Sequence, residues 1–120
     1  MADEARSGSH IAAIVLTGIA SAEALGVLAL RVVVIPPFIE MFADFGAALP
    51  VLTMLVMGWV WPLMWMALIL GLVAVATVAP VSMKVRIATL IVAVMAGIVA
   101  LVATVGALYM PLFAMSGDLS

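Results

Sequence analysis

Cysteine is missing from this 120-residue sequence, and charged residues make up only 8% of it. Without cysteine the chain has no disulfide, no thiolate nucleophile and no thiolate metal ligand. A single histidine is too few for a typical metal site. The net charge of −2 gives no indication of a nucleic-acid partner. The P-loop, G-x-S-x-G, H-E-x-x-H and dinucleotide-binding fingerprints are absent too, so we predict no enzyme activity, no cofactor and no metal.

Hydrophobic residues supply 69% of the chain, whereas a soluble domain is about half apolar and about a quarter charged. A membrane-spanning helix needs about 20 apolar residues, and the length allows three of them. We therefore predict an all-α integral membrane protein, a single transmembrane domain with spans at about residues 11–35, 60–79 and 87–108. The segment before the first span is not basic and the apolar run continues past Ala20-Ser21-Ala22, which argues against a cleaved signal peptide.

Pro36–Thr53 is the only long stretch that is neither fully apolar nor a short tail. Four bulky apolar residues follow one another in it at spacings of three and four: Phe38, Met41, Phe42 and Phe45. They share one face of a helix, and Glu40 and Asp44 share another. Gly46 is predicted to end this helix and Pro50 to begin the next. We predict a short amphipathic interfacial helix between the first two spans, with its rings toward lipid or a partner and its carboxylates toward water.

Small residues recur at intervals of four in the first and third spans. They are Gly18, Ala22 and Gly26 in the first span, and in the third span Ala93 and Gly97 form one series and Ala96, Ala100 and Thr104 another. Gly18, Ala22, Gly26, Gly97 and Ala100 are the small residues that we single out. Lipid provides no hydrophobic drive between helices, so helices there associate through close backbone approach at small residues. We predict that these five positions pack against other helices.

Charge and tryptophan predict how the chain lies in the membrane. Lys84 and Arg86 belong to the connection Pro80–Arg86, which should be cytoplasmic. The N-terminus is then cytoplasmic, and the segment 36–53 and the C-terminus lie outside. Arg31, near the end of the first span, can extend its charge to the interface. Three indole rings are expected at headgroup level: Trp59, Trp61 and Trp65.

Glu23 and His10 are the two candidates for chemistry. Glu23 falls near the middle of the first span, where an ionised carboxylate costs about 2.5 kcal/mol or more. Three interpretations stay open for it: contact with an Arg or Lys of a partner, passage of protons or ions, and a neutral carboxyl bonded to a neighbour. Arg31 is about 12 Å further along the same helix, too far for a direct bond. His10, at the mouth of the span, is either an ordinary interfacial residue or a pigment ligand.

A family resemblance is carried by two stretches. One is P-x-F-x-x-M-F-x-x-x-G-x-x-L-P-x-x-T from Pro36 to Thr53, and the other is A-L-Y-M-P-L-F from Ala107 to Phe113. They resemble the F-protein family, the inner-membrane platform proteins of type II secretion and type IV pilus systems. The family has two cytoplasmic helical domains, whose places are taken here by Met1–Ser9 and Pro80–Arg86, so the chain resembles its membrane core alone. The resemblance implies a bacterial inner-membrane location with a periplasmic C-terminus, and a scaffolding role.

The sequence thus predicts a non-enzymatic membrane subunit that scaffolds a larger inner-membrane complex. Its expected partners are the lipid bilayer and other integral membrane proteins, or further copies of the chain in a homo-oligomer. One alternative is a small oligomeric element that conducts protons or ions around Glu23. Another is an accessory subunit of a bioenergetic or pigment–protein complex, in which His10 or the tryptophans would touch a pigment.

Overall fold

The computed structural model describes the backbone of residues 2–45 and 51–119 and the side chains of residues 7–44 and 51–113; these residues form helices and no strand. The helices are α1 (Ala2–Ala29), α2 (Ile35–Phe45), α3 (Val51–Met57), α4 (Val60–Val78) and α5 (Met83–Leu119), and a π-helical turn (Leu30–Val34) joins α1 to α2. Three segments are long and apolar enough to cross a membrane: Ser7–Asp44, Val60–Val78 and Met83–Phe113. The prediction of an all-α chain with three candidate spans is confirmed, and the protein has the architecture of a multi-pass membrane protein.

The first long helix continues past Ile35, where the sequence predicts the end of the first span. A proline has no backbone N–H, and its ring meets the carbonyl four residues back, so Pro36 and Pro37 would strain a regular α-helix. The π-helical turn lies directly before them, and the Ile35 N–H donates to the Leu30 carbonyl, five residues back. This wider turn accommodates the prolines. As a result α2 extends the first long helix, whereas the sequence predicts a separate surface helix.

The segment before the second span contains a short helix of its own. α3 ends at Met57, and Gly58 and Trp59 separate it from α4. Pro62 stands in the first turn of α4, where the missing N–H breaks no helical hydrogen bond. The predicted turn residues Gly46 and Pro50 lie outside the described residues.

α5 begins at Met83, before the predicted residue 87, and continues through Pro111. Its early start has a local cause, because the Ser82 hydroxyl accepts a hydrogen bond from the Val85 N–H at 3.3 Å, as an N-cap residue does. Lys84 and Arg86 therefore lie in the first turns of α5 rather than in a loop.

The two long helices run parallel and α4 runs against them. Glu23 of α1 meets Gly97 of α5, and further along Gly26 faces Leu101. Trp61 near the start of α4 bonds to Thr104 late in α5, whereas Ala76 near the end of α4 bonds to Arg86 early in α5. The contacts between α4 and α5 thus occur in the opposite order along the two helices. Buried residues of α5 recur at alternating spacings of three and four: Leu90, Ala93, Gly97, Ala100, Thr104, Ala107 and Pro111. This is the a/d pattern of left-handed helix pairs, and α5 packs against both other spans along it.

Buried apolar residues form two clusters along the bundle. The central cluster consists of Ala20, Ala24, Ile69 and Ala93. The terminal cluster consists of Ile35, Val56, Ala107 and Leu108, with Phe38 and Trp61 among the residues packed against it. The molecule is 63 Å long, whereas the hydrocarbon core of a bilayer is about 30 Å thick. The bundle is therefore longer than the apolar layer that it would cross.

Candidate functional site

Glu23 lies over the bare backbone of Gly97. A methyl group built at Gly97 would lie 2.7 Å from Glu23 Cδ and 2.8 Å from its Cβ and Oε1. Only glycine leaves room for the carboxyl at this point of the α1–α5 contact. The structure thus brings together two residues that the sequence singled out separately.

The buried oxygen of the Glu23 carboxyl, Oε1, is unpaired within the described residues. The same is true of Arg31 Nε, so these two side chains do not pair here. An unpaired polar group in hydrocarbon costs several kcal/mol. The site therefore calls for a proton, a water molecule or a polar group from outside the described residues. The residue as a whole is half-buried, whereas Oε1 itself is covered.

The three tryptophans occupy different surroundings. Trp59, 49% exposed, lies just before α4, and the Arg31 guanidinium carbon is 4.3 Å from the centre of its ring, a cation–π contact. Trp61 and Trp65 are half-buried, and their rings meet edge to face at 5.7 Å. The Trp65 Nε1 is buried and has no partner among the described residues.

A short chain of hydrogen bonds links α4 to α5. Trp61 Nε1 donates to Thr104 Oγ1 at 2.9 Å, and that hydroxyl donates to the Ala100 carbonyl at 2.6 Å. The hydroxyl therefore acts as acceptor and donor at once. Trp61 is thus tied to a neighbouring helix, whereas the sequence predicts only a membrane-interface anchor.

Thr53, which sequence reasoning did not single out, replaces a helical hydrogen bond that α5 lacks at Pro111. Its hydroxyl is buried and donates to the Ala107 carbonyl at 2.7 Å. That carbonyl lies four residues before Pro111, so the proline leaves it without its helical donor. Threonine hydroxyls commonly replace such donors in membrane helices. The sequence contained one signal for this role, because Thr53 is the only hydroxyl side chain in the apolar segment Val51–Met57.

The aromatic face of α2 turns toward α5. Phe38 lies edge to face with Tyr109 and tilted against Phe42, with 5.8 Å between ring centres in both pairs. Of the predicted apolar face, Phe38 and Met41 are half-buried and Phe42 is buried. Glu40 and Asp44 are exposed, and the side chain of Phe45 lies outside the described residues. The described rings thus face the terminal cluster of the same chain.

The predicted small-residue positions divide into two groups. Gly97 and Ala100 are buried, and a methyl group at Gly26 would touch Leu101 at 3.7 Å. Gly18 and Ala22 are exposed, and a methyl group at Gly18 would meet nothing within 4 Å. The small residues that α1 buries in the central cluster are others, Ala20 and Ala24. They lie on the opposite side of the helix, which the interval of four alone did not distinguish.

A groove opens where the start of α1, the end of α4 and the start of α5 meet. It has a volume of about 310 Å³, and its lining includes His10, Thr17, Thr77 and Arg86 above Leu90. Within the described residues no group of three or more His, Asp, Glu or Cys side chains could hold a metal ion. No family model, curated protein or solved structure matches the chain. In the described part of the chain we take three features as candidate sites: the Glu23–Gly97 contact, the outer face of α1 and this groove.

Proposed function

We propose that this protein is a non-enzymatic, structural subunit of a larger assembly of integral membrane proteins. The observation that carries the proposal is the outer face of α1. Gly18 and Ala22 are exposed there, with open space at Gly18, and Glu23 follows directly with a buried oxygen that has no partner in the described chain.

The composition of this face favours a neighbouring helix over lipid. A glycine inside a helix costs about 1 kcal/mol relative to alanine, and at Gly18 no contact within the described chain offsets it. Small residues let a second helix approach closely. Glu23 is half-buried, so its carboxyl would meet a donor or cation on that helix, at the level of Ala22, once its side chain rotates away from Gly97. One partner helix thus accounts for both features.

We infer the location from the basic end of the bundle and from the family resemblance. With Lys84 and Arg86 in the cytoplasm, the N-terminus is cytoplasmic and the C-terminus periplasmic, in a bacterial inner membrane. α2 then reaches the outer surface as the amphipathic segment, with exposed Glu40 and Asp44 in water. The resemblance of this segment to the F-protein family supports a scaffolding role. The other subunits are integral membrane proteins or further copies of this chain.

The test is to block the outer face of α1 without disturbing the bundle. Gly18→Leu adds a side chain into open space, and leucine suits both a helix and lipid. We expect the variant to fold but to lose the membrane proteins that co-purify with the wild type in mild detergent, as counted by mass spectrometry.

Gly106→Leu is the matched control, because Gly106 is an exposed helical glycine with equally open space. It should retain the partners. If G18L keeps every partner that the wild type keeps, or if the wild type purifies as a single copy without other proteins, the proposal is wrong.

A second candidate function rests on the unpartnered Glu23 Oε1. A carboxyl that exchanges protons at mid-membrane could conduct them. Val60–Val78 and Ile87–Leu108 contain no acidic residue, so conduction would require several copies around a common axis. Glu23→Gln keeps the shape and removes the exchangeable charge. Loss of proton flux in liposomes with an intact oligomer would favour this candidate. Release of partners by E23Q, with no flux from the wild type, would favour the scaffold.

A further inference from the structure

The groove at the basic end of the bundle is built from all three spans. His10 and Thr17 come from α1, Thr77 from α4 and Arg86 from α5. Because these residues are far apart in sequence, the groove exists only in the folded bundle. Its wall combines the Arg86 guanidinium with the imidazole of His10 and the hydroxyl groups of Thr17 and Thr77.

Arg86 is held in place by the end of α4. Its Nε donates to the Ala76 carbonyl at 2.7 Å, one of the carbonyls that the last turn of α4 leaves without a helical donor. A guanidinium has five N–H donors in a planar fork, and the others make no hydrogen bond within the described residues. This fork suits the paired oxygens of a phosphate or carboxylate.

Thr17 provides an unused hydroxyl. The other threonines all donate to a backbone carbonyl: Thr53, Thr77, Thr89 and Thr104. Thr17 is half-buried, yet its hydroxyl has no hydrogen bond to any described residue. A helical threonine usually bonds to the carbonyl one turn back. Thr17, which lines the groove with Arg86, is thus the threonine whose hydroxyl makes no hydrogen bond within the described residues.

The depth of the groove matches a lipid headgroup. Thr77 is the penultimate residue of α4, and Arg86 directly precedes the apolar run of α5. Ile14 in the groove wall is 71% exposed, and Val78 at the end of α4 is 82% exposed. Polar groups therefore stand at the end of the apolar layer, next to an apolar surface on which acyl chains can lie.

We propose that this groove binds the phosphate of an anionic phospholipid. Arg86 supplies the positive charge, and Thr17 and His10 supply hydrogen bonds. The site requires only that the bundle spans a membrane, so it stands whether the protein scaffolds an assembly or conducts protons.

Lipid titrations of the purified full-length chain in neutral detergent, read by native mass spectrometry, test the site. We expect phosphatidylglycerol to bind more tightly than phosphatidylcholine. Arg86→Gln should weaken the binding of phosphatidylglycerol about fivefold, the effect of one basic group near an anionic lipid. Lys84→Gln is the control with the same loss of charge, because Lys84 is exposed and does not line the groove; its effect should stay below about twofold.

Because Arg86 also caps α4, a second variant keeps the test valid if R86Q does not fold. Thr17→Val removes no hydrogen bond within the described chain, so the bundle should stay intact. It should weaken phosphatidylglycerol binding about two- to tenfold, as expected for one lost hydrogen bond. Thr89→Val, the same change outside the groove, should leave the affinity unaltered.

Several results would overturn the proposal. Equal affinity for the two lipids, which both contain a phosphate, would mean that the net negative charge of the headgroup is not recognised. Equal effects of R86Q and K84Q, or of T17V and T89V, would indicate diffuse surface attraction instead of a site. Displacement of phosphatidylglycerol by millimolar inorganic phosphate would show that a soluble phosphate, not a lipid, occupies the groove.

Discussion

The central and terminal clusters of the bundle are held together in different ways. Around the central cluster the contacts are made by alanine and by the Glu23–Gly97 pair, and no side-chain hydrogen bond joins two helices there among the described residues. Aromatic rings pack against the terminal cluster, and two hydrogen bonds join helices around it, from Thr53 to α5 and from Trp61 to α5.

The difference follows from what each region has to satisfy. In the middle of the bundle the backbones are regular helices whose polar groups bond internally, so close approach of small residues is sufficient. At the terminal end Pro111 interrupts α5 and leaves a carbonyl free, which requires a polar side chain. The central cluster should therefore be sensitive to added volume, and the terminal cluster to the loss of hydroxyl groups.

The largest effect is expected from Gly97→Ala. The new methyl group would lie 2.7 Å from Glu23 Cδ and 2.8 Å from Glu23 Cβ, and the Cβ is fixed to the backbone, so α1 and α5 must separate. Overpacking of this kind costs about 1 to 3 kcal/mol. Reversible unfolding in mixed micelles, followed by circular dichroism, would measure the loss of stability.

Gly106→Ala is the control for that comparison. Gly106 lies on the same helix with nothing within 4 Å of an added methyl group, and alanine favours the helix. We expect unchanged or slightly raised stability. If G97A were as harmless as G106A, the central cluster would not depend on the close approach at Gly97.

The sequence allowed the three spans and the residues of the central contact to be predicted, but not the pairing of those residues. The number of spans follows from composition, because the thickness of the bilayer sets the length of an apolar helix. Glu23 and Gly97 stood out as a charge in an apolar run and a small residue in a periodic pattern. Their contact depends on the register between two helices separated by a long stretch of chain, which no local pattern encodes.

A smaller effect is expected from Thr104→Val in the terminal cluster. Valine keeps the shape of threonine at this buried position but leaves Nε1 of the half-buried Trp61 without its acceptor. Hydrogen bonds between membrane helices contribute about 0.6 kcal/mol on average and up to about 1.7. We expect a loss of about 1 to 1.7 kcal/mol, because a donor is left unpaired.

Thr89→Val separates the interhelical bond from the change of residue type. Thr89 bonds only to a carbonyl of its own helix, so its replacement should change stability by less than about 0.5 kcal/mol. In a Trp61→Phe background, T104V should lose most of its effect, because the unpaired donor is then absent. An equal cost of T104V in both backgrounds would contradict the role assigned to the Trp61–Thr104 bond.

The prolines show why helix ends were harder to predict than helices. Pro36 and Pro111 are strong local signals for a boundary, yet the helices continue through both. At Pro36 the adjustment is a π-helical turn in the preceding residues. At Pro111 it is a hydroxyl from α3, which is remote in sequence. Tertiary contacts thus satisfy groups that a local pattern counts as lost.

The smallest effect is expected from Thr53→Val, and a double-mutant cycle makes it informative. Removing the hydroxyl leaves the Ala107 carbonyl unpaired and should cost about 0.6 kcal/mol. Pro111→Ala restores the backbone N–H that bonds to this carbonyl in a regular helix. In the P111A background Thr53→Val should therefore cost little, and the coupling between the two positions should account for most of the single-mutant effect. Additive effects would mean that Thr53 holds α3 to α5 by packing alone, and that the carbonyl freed by Pro111 is not what the hydroxyl satisfies.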